Sequence, residues 1–237
     1  MNNKSFNLNE LLGISFLSVL LLSLILPMSD ASARTSRLMQ NTTQLRGIHQ
    51  GLVTYANSNK NWYPGLNSKG EDAGVTIEER MQAILQEYLC TPEYIVSPLE
   101  DDPSIHEWPG TGPVTSSHYS FALLQLPASG ERRNEWSPTL NSQAIVIADR
   151  NTGTPISTYG YHNKRWTSST TFGCTHNRRQ PYANLNQWVG NVLGNDSHNG
   201  LETADTLATQ YGGVVNPQDQ LFSAAGDDDA LLIHAGN

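Results

Sequence analysis

The stretch FNLNELLGISFLSVLLLSLILPM, residues Phe6 to Met28, places one carboxylate, Glu10, at the head of an otherwise uncharged apolar run. A carboxylate inside hydrocarbon costs on the order of 2.5 to 3.5 kcal/mol on insertion scales, so such a residue is usually paired, interfacial or functional. From Leu11 to Ser29 there are 19 residues without a charge, close to the ~20 that cross ~30 Å of hydrocarbon as a helix. A secretory signal peptide is the rival reading, with Lys4 as its basic residue and Ala31-Ser32-Ala33 as an A-x-A cleavage site.

The residues beyond the run decide between them. Leu38, Leu45, Ile48, Leu52 and Tyr55 lie 7, 3, 4 and 3 residues apart, the spacing of one helical face. No Gly-Pro or Asn-Gly break intervenes, so the spacing predicts one helix from about Leu8 to Asn57. A signal peptide has no need of that continuity.

The segment after Ser5 reads F-N-L-N-E-L-L, with Glu10 fifth counting from Phe6. Here the chain resembles the type IV pilin and type II secretion pseudopilin superfamily, whose prepilins carry a short basic leader and then a segment like F-T-L-I-E-L-L. Ser5 stands where those leaders end in Gly. Pro27 falls where many pilins place a proline that kinks the first helix. Thr43 to Gly65, TQLRGIHQGLVTYANSNKNWYPG, is similar to a second stretch of bacterial pseudopilin-like proteins. Gly190 to Glu202, GNVLGNDSHNGLE, resembles their C-terminal processing-associated segment, with Asp196 and His198 in place.

The resemblance implies a leader at 1–5 removed by a prepilin peptidase between Ser5 and Phe6, then methylation of Phe6. It implies a membrane-embedded helical half at 6–29, an amphipathic continuation at 30–57 and an α+β head at 58–237. The partners would be other pilin-like subunits and the inner membrane, crossed once with the head outside the cytoplasm. Glu10 would serve assembly, its carboxylate meeting the Phe6 ammonium of a neighbouring subunit. The positive-inside rule alone points the other way, because Arg34, Arg37 and Arg46 follow the apolar run.

The rest of the chain reads as α+β. Thr76-Ile-Glu-Glu79 is a capping box, and Ile77, Met81, Ile84, Leu85 and Tyr88 make one apolar face before Thr91-Pro92. The runs His118 to Leu126, Gln143 to Asp149, Trp188 to Leu193 and Ala230 to His234 predict short strands. The expected fold is therefore a long N-terminal helix, its first half in the membrane, packed on a small antiparallel sheet with long irregular loops.

Composition narrows the chemistry. A net charge of −8 with 15% charged residues lacks the basic footprint of a nucleic-acid binder. The seven histidines show no H-E-x-x-H or i, i+4 pair, and no metal or other cofactor is expected. Asp227-Asp228-Asp229 are weak Ca²⁺ candidates, since some pseudopilins bind calcium in a C-terminal loop. Their run lacks the D-x-D-x-D-G spacing and reads better as a solvated turn. Cys90 and Cys174 are candidates for one disulfide outside the cytoplasm, with two separate buried thiols as the alternative.

Asp196-Ser197-His198 holds the residue types of a hydrolase triad, but triads are recognised by spatial geometry and not by adjacency. The favoured reading of those residues is a turn whose Asp bonds nearby backbone N–H groups. A non-enzymatic filament subunit is accordingly expected. The alternative is a signal-peptide-bearing or membrane-anchored extracytoplasmic binding domain or hydrolase, with Trp62, Trp108, Trp136, Trp166 and Trp188 available to line a glycan groove.

Overall fold

The computed structural model describes residues 8–100, 104–150, 188, 190–204, 206–222 and 232–233, with side chains of the first helix described at 12–21 and from 35 onward. The chain divides into two compact units, Met1–Arg37 and Leu38–Asn237. Helical backbone, α1, is assigned over Leu8–Ser58. In the first unit the side chains at 12–21 are exposed, and the Ser18 hydroxyl donates back to the Ile14 carbonyl at 2.8 Å.

The structure corrects the expected spine. Among the described residues no helix is long and apolar enough to cross a membrane. The expected fold, a long N-terminal helix with a membrane-embedded first half, is corrected on that ground: α1 has helical backbone over Leu8–Ser58 but does not qualify as a membrane span. The physical reason lies in the sequence from Ser29 to Arg37, where Ser29, Asp30, Ser32, Arg34, Thr35, Ser36 and Arg37 interrupt the apolar character.

In the second unit the helical face behaves as its spacing predicts. Leu45, Ile48, Leu52 and Ala56 are fully buried in one core cluster. Gly47 is needed on the flank of that face, because a β-carbon there would collide with the ring of Tyr94. Two short strands, β1 (Gly65–Leu66) and β2 (Asp72–Ala73), pair antiparallel after the helix. The second helix, α2 (Ile77–Gln86), starts on the predicted capping box. Thr76 Oγ1 accepts from the Glu79 N–H at 3.3 Å, and the Thr76 N–H donates to Glu79 Oε2 at 3.2 Å. Ile77, Met81, Ile84 and Leu85 are buried as expected, while Tyr88 lies beyond the helix end and is 93% exposed.

The main sheet is built from β3 (Phe121–Leu124), β4 (Ile145–Asp149), β5 (Gly190–Gly194), β6 (Asn199–Glu202) and β9 (Leu232–Ile233). Its order is β6-β5-β4-β3-β9 and its described pairings are antiparallel. Each of the four predicted runs overlaps one of its strands. A 3-10 turn at Ser116–His118 holds the chain back before β3, so that strand begins at Phe121. Every residue of β3, β4 and β5 is buried, so both faces of the sheet are covered, unlike a sheet with one wet face.

Between the sheet strands lie α3 (Glu131–Asn134) and a separate hairpin of β7 (Thr206–Tyr211) with β8 (Val214–Gln220). Tyr211 joins the hairpin to the sheet by donating to the Ile145 carbonyl at 2.9 Å. The buried Arg80 of α2 donates to the Leu124 carbonyl at 2.7 Å and lies 4.9 Å from the Trp136 ring centre. Trp136 in turn donates to the Pro64 carbonyl at 2.7 Å. If α1 supplies the centre of this core, Ile48→Ala should cost about 2–5 kcal/mol. Urea unfolding monitored by tryptophan fluorescence measures that loss, and a change under about 0.5 kcal/mol, the size usual at surface sites, would contradict the packing.

Candidate functional site

Two buried polar clusters connect α1 to the segment 190–202. The first surrounds Asp149, the last residue of β4, which is fully buried. Asn41 of α1 donates through Nδ2 to both carboxylate oxygens, at 2.9 and 3.1 Å. Asn191 of β5 donates twice to Oδ2, from its backbone N–H at 2.7 Å and from Nδ2 at 3.1 Å. Ser97 fixes the Asn41 amide by donating to its Oδ1 at 2.7 Å. The Thr42 hydroxyl, with one proton to give, lies 3.0 Å from the Leu38 carbonyl and 3.4 Å from Asn191 Oδ1. Gly190 admits this arrangement, because a β-carbon there would press on the Trp188 ring and on Asp149.

The second cluster lies two turns further along α1. Asn195, 1% exposed, sits in the turn joining β5 to β6. Its Nδ2 faces the Glu135 carbonyl at 2.8 Å, the Ser137 carbonyl at 2.6 Å and Thr139 Oγ1 at 2.9 Å. Those acceptors orient the amide, leaving Oδ1 to accept from the Tyr63 hydroxyl at 2.6 Å. With its single proton given to Asn195, the Tyr63 oxygen accepts from His49 Nε2 at 3.2 Å. His49 Nδ1 is then the acceptor for the Ser197 hydroxyl at 2.8 Å. Burial lowers the His49 pKa, with Asn195 and the Asp196 charge opposing it. Burial, and then the charge of Glu135, raises that of Tyr63.

Ser197, His49, Tyr63 and Asn195 thus form a directed hydrogen-bond chain ending in an exposed hydroxyl whose residue has φ 68°. The order imitates a nucleophile and its base. The groups that would stabilise an oxyanion are already committed: the Ser197 N–H bonds the Gly194 carbonyl at 3.0 Å, and the His198 N–H bonds Asp196 Oδ1 at 2.8 Å. The neighbouring Asp196 carboxylate would also oppose negative charge developing there. The arrangement suits holding a helix against a hairpin better than acyl transfer. Asp196 makes the backbone-bonding turn expected of it.

The remaining sequence-derived sites separate in space. Glu10 and Pro27 fall within the helical backbone of α1, while Ser5, Phe6, Cys174 and Asp227, Asp228 and Asp229 lie outside the described residues. Cys90 is a half-buried thiol whose pKa burial pushes up to about 12, which makes it a poor nucleophile at neutral pH. Spacing did not foretell the meeting of His106 and His118, whose rings stand edge to face with centres 5.0 Å apart. His106 Nδ1 points at the Ser104 carbonyl at 3.0 Å, whereas His118 Nδ1 accepts the Thr115 N–H at 3.0 Å. The lone pair of His118 is therefore engaged, and among the described residues no group of three or more His, Cys, Asp or Glu could hold a metal ion.

No family model, curated protein or solved structure matches this chain.

The buried His49 makes stability depend on pH. Its folded pKa lies below the ordinary histidine value of 6.5, so between the two values the unfolded chain binds more protons and acid favours unfolding. The contribution is complete above pH 6.5 and is lost as pH falls from there through the folded pKa. Comparing chemical denaturation of the wild type and His49→Gln across about pH 4–8 isolates this component from His118, whose pKa is lowered as well. The variant should show a shallower loss on acidification through that window; parallel curves would show that His49 does not titrate as a buried group. Asn195→Ala should cost at least about 2 kcal/mol by stranding several buried partners, read as a fall in urea midpoint.

Proposed function

We propose that this chain is a pilin-like or pseudopilin-like structural subunit of a type IV pilus or type II secretion-type filament, with its head outside the cytoplasm. One observation carries the reading. The stretches Thr43–Gly65 and Gly190–Glu202 that resemble this superfamily are far apart in sequence and bond each other, His49 to Ser197 across 148 residues and Tyr63 to Asn195 across 132. Motifs that recur at opposite ends of a chain and meet in the fold suit a role in holding one helix on one hairpin. That is the demand on a subunit whose helix is loaded by its neighbours.

The assembly step follows from charge. Hydrolysis of the Ser5–Phe6 bond would leave a free ammonium on Phe6, and Glu10 would present its carboxylate to the ammonium of the next subunit. Each charge is costly alone in an apolar environment and is neutralised by the other. Such a head-to-tail contact does not close on itself and so grows a helical filament. The hydrolase alternative is weakened by the committed backbone N–H groups around Ser197.

Mass spectrometry of the mature N-terminus distinguishes the readings: Phe6 for prepilin processing, Arg34 for signal-peptide cleavage and Met1 for an unprocessed chain. Glu10→Gln should lower incorporation into sheared filaments at least about tenfold while leaving cellular levels unchanged, since about 1.4 kcal/mol lost at each contact is a factor of ten. Normal incorporation of the variant would remove the charge-pairing step.

A further inference from the structure

The end of α2 breaks a local rule. The Tyr88 N–H bonds the Leu85 carbonyl at 3.1 Å and the Leu89 N–H bonds the Ile84 carbonyl at 2.9 Å. This pair of bonds closes a helix through one left-handed residue, a place usually taken by Gly. Here it is Tyr88, with φ 57°. A β-carbon is disfavoured in that conformation, and with the ring 93% exposed no burial offsets the strain. Residues held in costly local conformations without a packing return cluster at functional sites.

Tyr88 lines a cavity of about 320 Å³ together with Trp108, Pro92, Gln86 and Thr111. That volume lies at the lower end of the range for small-ligand sites, roughly 300–1,000 Å³. The lining carries no charged side chain, so nothing in it would neutralise a phosphate or an ammonium ion. The exposed carboxylates Glu87 and Glu93, adjacent in the chain to lining residues, disfavour anionic polymers. The Trp108 indole N–H is committed to the Gly112 carbonyl at 3.3 Å, and so is not offered to a peptide carbonyl as grooves for proline-rich segments require. What remains is the exposed Tyr88 ring, a second ring, Trp108, in the same lining, and the neutral amide and hydroxyl of Gln86 and Thr111. Flat rings with neutral hydrogen-bonding groups match the apolar face and the hydroxyls of a sugar ring.

We propose that the cleft between the end of α2 and the Trp108 loop binds a sugar unit of a neutral polysaccharide, stacked on Tyr88. The assignment goes beyond the filament reading and is independent of it, because the assay requires neither processing nor assembly. The full-length chain is titrated with cellohexaose and with fully N-acetylated chitohexaose by calorimetry, up to about 10 mM, where even a millimolar site would be mostly filled. At least one hexasaccharide should bind. Tyr88→Phe should retain the affinity within about threefold, and Tyr88→Ala and Tyr88→Gly should weaken it at least about tenfold. Tyr88→Gly should at the same time raise Tm by about 2–4 °C by removing the left-handed strain, which shows that the lost binding is not lost folding. Absence of binding to both hexasaccharides overturns the proposal, as does unchanged binding by Tyr88→Ala. Tyr88-dependent binding of a proline-rich peptide or of polygalacturonate in preference to the neutral sugars overturns it too.

Discussion

Asp149 is a carboxylate with no exposure to water, and its described hydrogen-bond partners are amide groups of Asn41 and Asn191. A buried charge left without partners costs several kcal/mol, so the helix must lie where Asn41 reaches it. That requirement fixes the register of residues 38–58 within the larger unit more sharply than oily contacts do, since apolar contact is non-directional. With Asn41 in place, Leu45, Ile48 and Leu52 turn into the core and His49 comes against Ser197. Thirteen polar or charged residues are buried among those described, and several of them serve this one seam.

Much of the architecture is readable in the sequence, where local chemistry and global packing agree. The Thr76–Glu79 box starts α2, and the runs around Phe121, Ile147, Val192 and Leu232 all become strands of one sheet. The failures have identifiable causes. Periodicity carries the apolar face of α2 through to Tyr88, because the usual stop signal, a glycine at the left-handed position, is missing there. Gly212-Gly213 between Tyr211 and Val214 is a hairpin signal, but Pro217 and the polar residues around it mask β8. The expectation of a membrane-embedded first half rests on the uncharged run from Leu11 to Ser29, which does not register the polarity accumulating between Ser29 and Arg37.

The site is legible only as an address. Gly190 to Glu202 stands out as a motif, yet nothing local shows that Asn191 serves Asp149, 42 residues earlier, or that Asn195 receives the Tyr63 hydroxyl across 132 residues. Asparagine is common in turns for purely local reasons, so its long-range use is invisible to spacing arguments. The candidate triad shows the converse: Ser197 does meet a histidine, but it is His49 from the helix and not its sequence neighbour His198. Proximity in the chain suggests a chemistry, and the fold redistributes the same residues into a fastening.

The two clusters grip α1 at Asn41 and at His49, eight residues apart, which is about 12 Å along a helix axis. One attachment point would act as a pivot; two make a splint. A sideways force on the helix meets a torque arm and not a hinge, and a pull along its axis loads both sets of hydrogen bonds in parallel shear, so neither can be peeled away before the other. Mechanical stiffness at this seam is therefore a property of the spacing of the two attachments as well as of the hydrogen bonds themselves.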